Sequence, residues 1–139
     1  MLKILLVSHG RFAEGIKDAA EIIMGKQENL SFINAYTNDV PFEEQLGTYL
    51  SSVDLSVDKL IIVADLFGGS VNQKTMLKVD LDQVILVTGL CLPLLLELLM
   101  LSEDNATEES VRKILEVSKE GLLLVRDKIK PNQADDFDF

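Results

Sequence analysis

Short runs of consecutive apolar residues recur along this chain, and segments with a helical spacing of apolar positions separate them. The clearest runs lie at residues 4–7, 60–64 and 84–87. A run without polar alternation is typical of a strand buried on both faces, which is the situation inside a parallel sheet. The alternation of such strands with helices predicts an α/β fold with helices on both faces of the sheet.

The pattern predicts four main strands and five helices. We expect strands at about residues 2–8, 31–36, 59–64 and 83–87, and helices at about 12–24, from Pro41 onward, at 70–78, from near Pro93 onward and at 108–119. The predicted architecture is a doubly wound, mainly parallel sheet in the order 2-1-3-4. Residues 122–125 fit either a fifth, antiparallel edge strand or another helical turn, because periodicity does not separate these over four residues.

The charge balance excludes one class of partner. The chain has 13 basic and 23 acidic residues, which gives a formal net charge of −10. Binding to a phosphate backbone depends on basic side chains that release counterions, and this chain would be repelled. Neither nucleic acid nor an anionic membrane surface is therefore expected as a partner.

Length and composition predict one domain in the cytoplasm. With 139 residues and 47% hydrophobic content, we expect a single domain over residues 1–130 and an acidic, disordered tail over 131–139. The amino-terminal apolar run is too short for a signal peptide, and residues 90–101 are too short, and interrupted by Pro93, to span a bilayer. The lone Cys91 allows neither an internal disulfide nor a cysteine metal cluster, and neither a metal nor a cofactor is expected.

The only histidine follows the first apolar run, and an aspartate follows the third predicted strand. His9 precedes Gly10, and Asp65 comes directly after residues 60–64. If strands 1 and 3 are neighbours, their carboxyl ends flank one crevice and these side chains meet there. A nucleophilic histidine needs one free ring nitrogen, and a carboxylate on the other N–H fixes the tautomer and stabilises the imidazolium.

A glycine-rich turn supplies the matching anion site. Gly68, Gly69 and Ser70 stand at the predicted start of a helix, where backbone amides and the hydroxyl can hold phosphoryl oxygens. Taken singly, His9 fits a packed loop residue, Asp65 fits a helix cap, and Gly-Gly-Ser fits an ordinary turn. Their combination at adjacent strand ends favours phosphoryl transfer onto and off His9.

Three segments resemble one protein family. The sequence LLVSHG at residues 5–10, with FAEG at 12–15 and AEIIMG at 20–25, resembles the amino-terminal signature of the IIA component of mannose-family sugar phosphotransferase systems. VADLFGGS at residues 63–70 is similar to the strand-3 motif of that family, and TGLCLPLLLE at 88–97 to its strand-4 segment.

The resemblance implies a phosphorelay and an assembly. It implies that His9 accepts phosphate from the histidine-containing phosphocarrier protein and passes it to a IIB component, with Asp65 assisting and membrane IIC and IID components acting indirectly. It also implies a homodimer, in some members with an exchanged carboxyl-terminal strand, a role for which residues 122–125 are available. Because the chain ends at Phe139, a separate IIB polypeptide is expected.

Several positions depart from the family pattern. Val71, Asn72 and Gln73 stand where the family usually has Pro-Phe-Asn, Cys91 replaces an asparagine, and Leu94 replaces a methionine. These positions border the predicted crevice. They leave the partner surface and the transported sugar open.

Other functions remain to be distinguished. The phosphotransfer subunit of a dihydroxyacetone kinase system would use the same histidine chemistry, although residues 65–70 fit the sugar-transport motif better. A receiver-like signalling domain would instead be phosphorylated on Asp65, but it needs acidic Mg²⁺ ligands after strand 1, where this chain has Ser8-His9-Gly10. A regulatory protein that uses His9 phosphorylation only to choose partners is a third alternative.

Overall fold

A computed structural model describes residues 1–129 of the chain. The strands are β1 (Leu2–His9), β2 (Leu30–Ala35), β3 (Lys59–Ala64) and β4 (Ile85–Thr88), and the α-helices are α1 (Phe12–Met24), α2 (Phe42–Ser51), α3 (Ser70–Lys78), α4 (Leu92–Leu99) and α5 (Glu108–Lys119). The strands form one parallel sheet in the order β2-β1-β3-β4. The predicted fold class and strand order are confirmed.

The central strands are buried on both faces, as their unbroken apolar runs predict. Alternate residues of β1 face opposite sides, so that Ile4 packs with α1, α4 and α5 while Leu5 packs with α2 and α3. The same division holds in β3 for Ile61 and Ile62. The two helical layers therefore cover opposite faces of the sheet, which is a doubly wound arrangement.

The register of the central strands determines where the polar residues meet. β1 and β3 are neighbours, with Val7 paired to Ala64 across the ladder. His9 lies two residues beyond Val7, and Asp65 lies one residue beyond Ala64. α1 then passes to one face and α3 to the other, so a crevice opens between the two strand ends.

Two predicted elements differ from the structure by more than one residue at an end. β4 begins at Ile85 rather than at residue 83, because the N–H groups of Gln83 and Val84 turn back to the Asp80 carbonyl, each at 2.9 Å. Residues 122–125 form neither the fifth strand nor a continuation of α5: only a 3₁₀ turn, Val125–Asp127, follows. The side chains of Leu122 and Leu124 are 93% and 68% exposed, so the described chain gives them no apolar surface to pack against.

Two further sequence expectations concern the carboxyl-terminal tail and membrane-spanning segments. The tail expected at residues 131–139 lies outside the described residues. Across residues 1–129, none of the helices has the length and apolar character needed to cross a bilayer.

Candidate active site

The structure brings His9 and Asp65 together at the carboxyl end of the sheet. The His9 backbone N–H donates to Asp65 Oδ2 at 2.8 Å, and His9 Nδ1 lies 2.7 Å from the same oxygen. The Leu66 N–H donates to the other oxygen, Oδ1, at 3.0 Å. The carboxylate is thereby anchored to the ends of both central strands and orients the imidazole.

The protonation state of Asp65 follows from these contacts. Burial, the largest single influence, acts to raise the pKa of Asp65, but the hydrogen bonds from the His9 backbone N–H and ring and from the Leu66 N–H, together with the His9 charge, outweigh it. The pKa of Asp65 is consequently lower than usual, so the group is an anion at neutral pH. An anionic Asp65 accepts a hydrogen bond from Nδ1–H, and in the neutral imidazole this leaves the lone pair on Nε2.

The glycine turn lies beside that free nitrogen. His9 Nε2 is 3.2 Å from Ser70 Oγ, and Ser70 is the first residue of α3. Gly68 adopts φ +79°, a conformation that side chains disfavour, and a Cβ at Gly69 would lie 3.0 Å from Leu66 Cδ2 and 3.5 Å from His9 Cε1. Gly68 therefore allows the turn, and the missing side chain at Gly69 leaves space beside the imidazole, next to the first amides of a helix.

Tyr36 and Lys74 also belong to this site, and the sequence reasoning missed both. Tyr36 Oη is 2.8 Å from Ser70 Oγ, and the rings of Tyr36 and His9 are 5.5 Å apart between centroids. Lys74 Nζ donates to Tyr36 Oη at 3.3 Å and forms an ion pair with Glu43 at 2.9 Å. The signal was available, because Tyr36 directly follows β2, whose carboxyl end lies beside that of β1.

Two residues close to His9 in the sequence, Ser8 and Arg11, adjoin the start of α1. Ser8 is buried, and its Oγ accepts a hydrogen bond from the Ala13 N–H at 2.8 Å at the start of α1. Arg11 is exposed at the N-cap of α1. Among residues 1–129, no three His, Cys, Asp or Glu side chains are grouped closely enough to hold a metal ion.

The departures from the family pattern divide between the core and the turn. Val71, Asn72 and Leu94 are buried, and Asn72 Nδ2 lies 3.6 Å from Met76 Sδ. Gln73 instead donates from Nε2 to the Gly68 carbonyl at 3.0 Å. Gln73 thus supports the glycine turn, while the buried residues affect the packing beneath it.

Comparison with known proteins identifies the family. Residues 3–115 match the family described as PTS system fructose IIA component, where PTS denotes the sugar phosphotransferase system. The matched range includes both His9 and Asp65. The chain belongs to this family, the mannose-type IIA components, which are components of a phosphotransferase.

Similar proteins agree with that assignment. The chain is 29% identical over 131 residues to the mannose-specific EIIAB component of Escherichia coli strain K12, covering 91% of this chain but only 40% of that protein. It is 25% identical over 137 residues to the sorbose-specific EIIA component of Lacticaseibacillus casei, covering 97% and 99%. The crystal structure of a PTS IIA protein associated with the fucose utilization operon of Streptococcus pneumoniae superposes with a TM-score of 0.78, at 29% identity and covering 93% of this chain and 96% of that one.

Proposed function

We propose that this chain is a phosphoryl carrier in which His9 Nε2 accepts a phosphoryl group from the histidine-containing phosphocarrier protein and donates it to a IIB component. The observation that carries the proposal is the 2.7 Å contact between His9 Nδ1 and Asp65 Oδ2. It occupies one ring nitrogen and leaves the other directed at the glycine turn. Family membership supports the choice of partners, and the membrane IIC and IID components then act indirectly.

The proposed transfer needs only groups that lie at this crevice. The Nε2 lone pair attacks phosphorus, the bond between phosphorus and the donor's ring nitrogen breaks, and its electron pair returns to the donor. Charge that develops on the His9 ring is stabilised by the Asp65 carboxylate. The amides near Gly69 and the Ser70 hydroxyl hold the phosphoryl oxygens. Transfer to the IIB component reverses these steps with a new acceptor.

The alternatives are less compatible with these contacts. The Asp65 carboxylate already accepts hydrogen bonds from the His9 N–H, the His9 ring and the Leu66 N–H. Phosphorylation of Asp65 itself would require the carboxylate to lose those bonds. A dihydroxyacetone kinase subunit would share the histidine chemistry, but the family match supports the sugar system. The names of the mannose- and sorbose-specific relatives support a sugar as the final acceptor.

The chemical stability of the label tests this proposal. We expect incubation with phosphoenolpyruvate, enzyme I and the phosphocarrier protein to add one phosphoryl group per chain, detected by intact mass spectrometry. The label should be lost in acid and retained in alkali, as for phosphohistidine, and should depend on the phosphocarrier protein. A label that survives acid but is lost in alkali would identify an acyl phosphate and contradict the proposal.

We also propose that the chain functions as a homodimer through residues 122–125. These four residues are apolar, and all of them are exposed in the single chain. Within residues 1–129, β4 lies at the edge of the sheet, so one side of its backbone has no neighbouring strand there. The groove beside it is lined by apolar side chains that include Val84, Leu86 and Leu115. A second copy that supplies residues 122–125 would cover this edge, as the family resemblance implies.

Truncation after Glu120 should reduce dimer content and stability. A chain truncated after Ile129 is the matched control, since it keeps residues 122–125. Sedimentation velocity at micromolar concentration measures the dimer content of the two truncated chains, and urea unfolding measures their stability. A monomeric full-length chain would reject the dimer, and a dimer unaffected by truncation after Glu120 would place the interface elsewhere.

A further inference from the structure

A row of four polar side chains leads from Lys74 to the reacting nitrogen of His9. Lys74 Nζ lies 3.3 Å from Tyr36 Oη, Tyr36 Oη lies 2.8 Å from Ser70 Oγ, and Ser70 Oγ lies 3.2 Å from His9 Nε2. The residues come from the carboxyl ends of β1 and β2 and from the first turns of α3. Three separate elements therefore converge on one hydrogen-bonded row.

Chemistry fixes the direction of every bond in this row. In the neutral imidazole, whose Nδ1 proton faces Asp65, Nε2 is an acceptor and the Ser70 hydroxyl donates to it. The Ser70 oxygen then accepts from the Tyr36 hydroxyl. An ammonium group can only donate, so Tyr36 Oη accepts from Lys74. All donors consequently point from Lys74 toward His9. Hydrogen bonds that run in one direction along such a row strengthen one another.

The backbone of Tyr36 is strained in a way that serves this placement. Its φ is +65°, and Tyr36 is the only non-glycine residue with positive φ among residues 1–129. This left-handed conformation is unfavourable for a bulky L-residue. Tyr36 is 51% exposed, so core packing does not account for the strain. The strained turn instead places the phenol beside the His9 ring, at an interplanar angle of 52°, and its hydroxyl against Ser70.

Lys74 is held in place from two sides. Its ion pair with Glu43 on α2 has an Nζ–Oε1 distance of 2.9 Å, and Nζ lies 5.2 Å from the centroid of the Tyr36 ring. The hydrogen bond to Glu43 raises the pKa of Lys74, so the ammonium stays charged. The cation is therefore fixed at the far end of the row.

We propose that Tyr36 and Lys74 are positioning residues that hold the Ser70 hydroxyl as a donor, first to His9 Nε2 and then to an oxygen of the phosphoryl group on that nitrogen. This inference rests on the proposed function of His9. In the free chain the Ser70 proton keeps the ring aligned for attack. After transfer the same proton turns to a phosphoryl oxygen, while Tyr36 and Lys74 keep the serine oxygen in place and extend positive charge toward the phosphate.

We call the action of this row on the Ser70 hydroxyl the relay. The Tyr36→Phe variant tests the relay by removing one hydroxyl and keeping the ring. We expect the rate of phosphoryl transfer from the phosphocarrier protein, measured by rapid quench, to fall about five- to tenfold. Tyr49→Phe is the matched control, because Tyr49 is the other tyrosine, lies in the last turn of α2 and is not part of the hydrogen-bonded row. Its rate should equal that of the wild type.

A double-mutant comparison separates positioning from a general structural effect. In the Ser70→Ala background, Tyr36→Phe should cause no further loss of transfer rate, since the Ser70 hydroxyl that Tyr36 positions is already absent. Lys74→Gln should also slow transfer and Lys74→Arg should largely restore it, whereas Lys78→Gln, one turn further along α3, should not change the rate. Equal losses from Tyr36→Phe with and without Ser70 would overturn the relay.

The same assay distinguishes failure of the relay from failure of the proposed function. A wild-type chain that takes no label would overturn the phosphoryl-carrier function and the relay with it. A labelled wild type whose Tyr36→Phe variant transfers at an undiminished rate would overturn the relay alone.

Discussion

Replacing His9 with alanine is expected to abolish phosphoryl labelling of this chain. The substitution removes the ring nitrogen that the Asp65 contact leaves free, and the sequence contains no second histidine. Intact mass spectrometry after incubation with phosphoenolpyruvate, enzyme I and the phosphocarrier protein measures the result. The variant should show no added phosphoryl group where the wild type shows one.

The His9→Ala result requires a folded variant. The His9 side chain is partly exposed, so its loss should change the free energy of unfolding by no more than about 1 kcal/mol. Urea unfolding followed by circular dichroism provides the control. Full labelling of a folded His9→Ala variant would show that the phosphoryl group goes elsewhere, with Asp65 the first residue to test.

Asp65→Asn is expected to slow phosphoryl transfer by about two to four orders of magnitude while preserving the fold. An asparagine can still bond the imidazole, but it supplies no charge to stabilise the imidazolium and its NH₂ group favours the wrong tautomer. Rapid-quench measurement of transfer from the phosphocarrier protein gives the rate. Asp82→Asn is the matched control, because it removes the same charge from the turn before β4, at the opposite end of the sheet.

The lowered pKa of Asp65 adds a pH dependence. A carboxyl whose folded pKa lies below its unfolded value of about 3.9 stabilises the fold above that value and loses the contribution as pH falls through the folded pKa. The Asn variant should therefore be less stable than the wild type at neutral pH, and this difference should shrink in acid below about pH 4. An unchanged transfer rate in Asp65→Asn would remove the carboxylate from the mechanism.

The sequence predicted the fold because burial on both faces leaves a strong pattern. The unbroken apolar runs of β1 and β3 identify the sheet centre, and the polar residues that end them, His9 and Asp65, are then neighbours by topology. This part of the site requires no knowledge of side-chain geometry. The strand ends alone place the pair in one crevice.

Tyr36 and residues 122–125 show why other features were not predicted. An aromatic residue after β2 looks like part of the strand, and nothing in local sequence announces a positive φ at a tyrosine. Lys74 becomes a partner only once α3 is folded against α2 and Glu43 lies within reach. Residues 122–125 have too short a pattern to distinguish strand from helix, and their conformation depends on what surface they bury against.

The ring position of the phosphoryl group tests the central claim most directly. Heteronuclear ³¹P–¹⁵N NMR of the phosphorylated chain identifies which nitrogen of His9 is bonded to phosphorus. The Asp65 contact at Nδ1 predicts that the phosphoryl group lies on Nε2, beside Ser70. Phosphorus bonded to Nδ1 would contradict the account, because the 2.7 Å contact that orients the ring would have to break for that product to form.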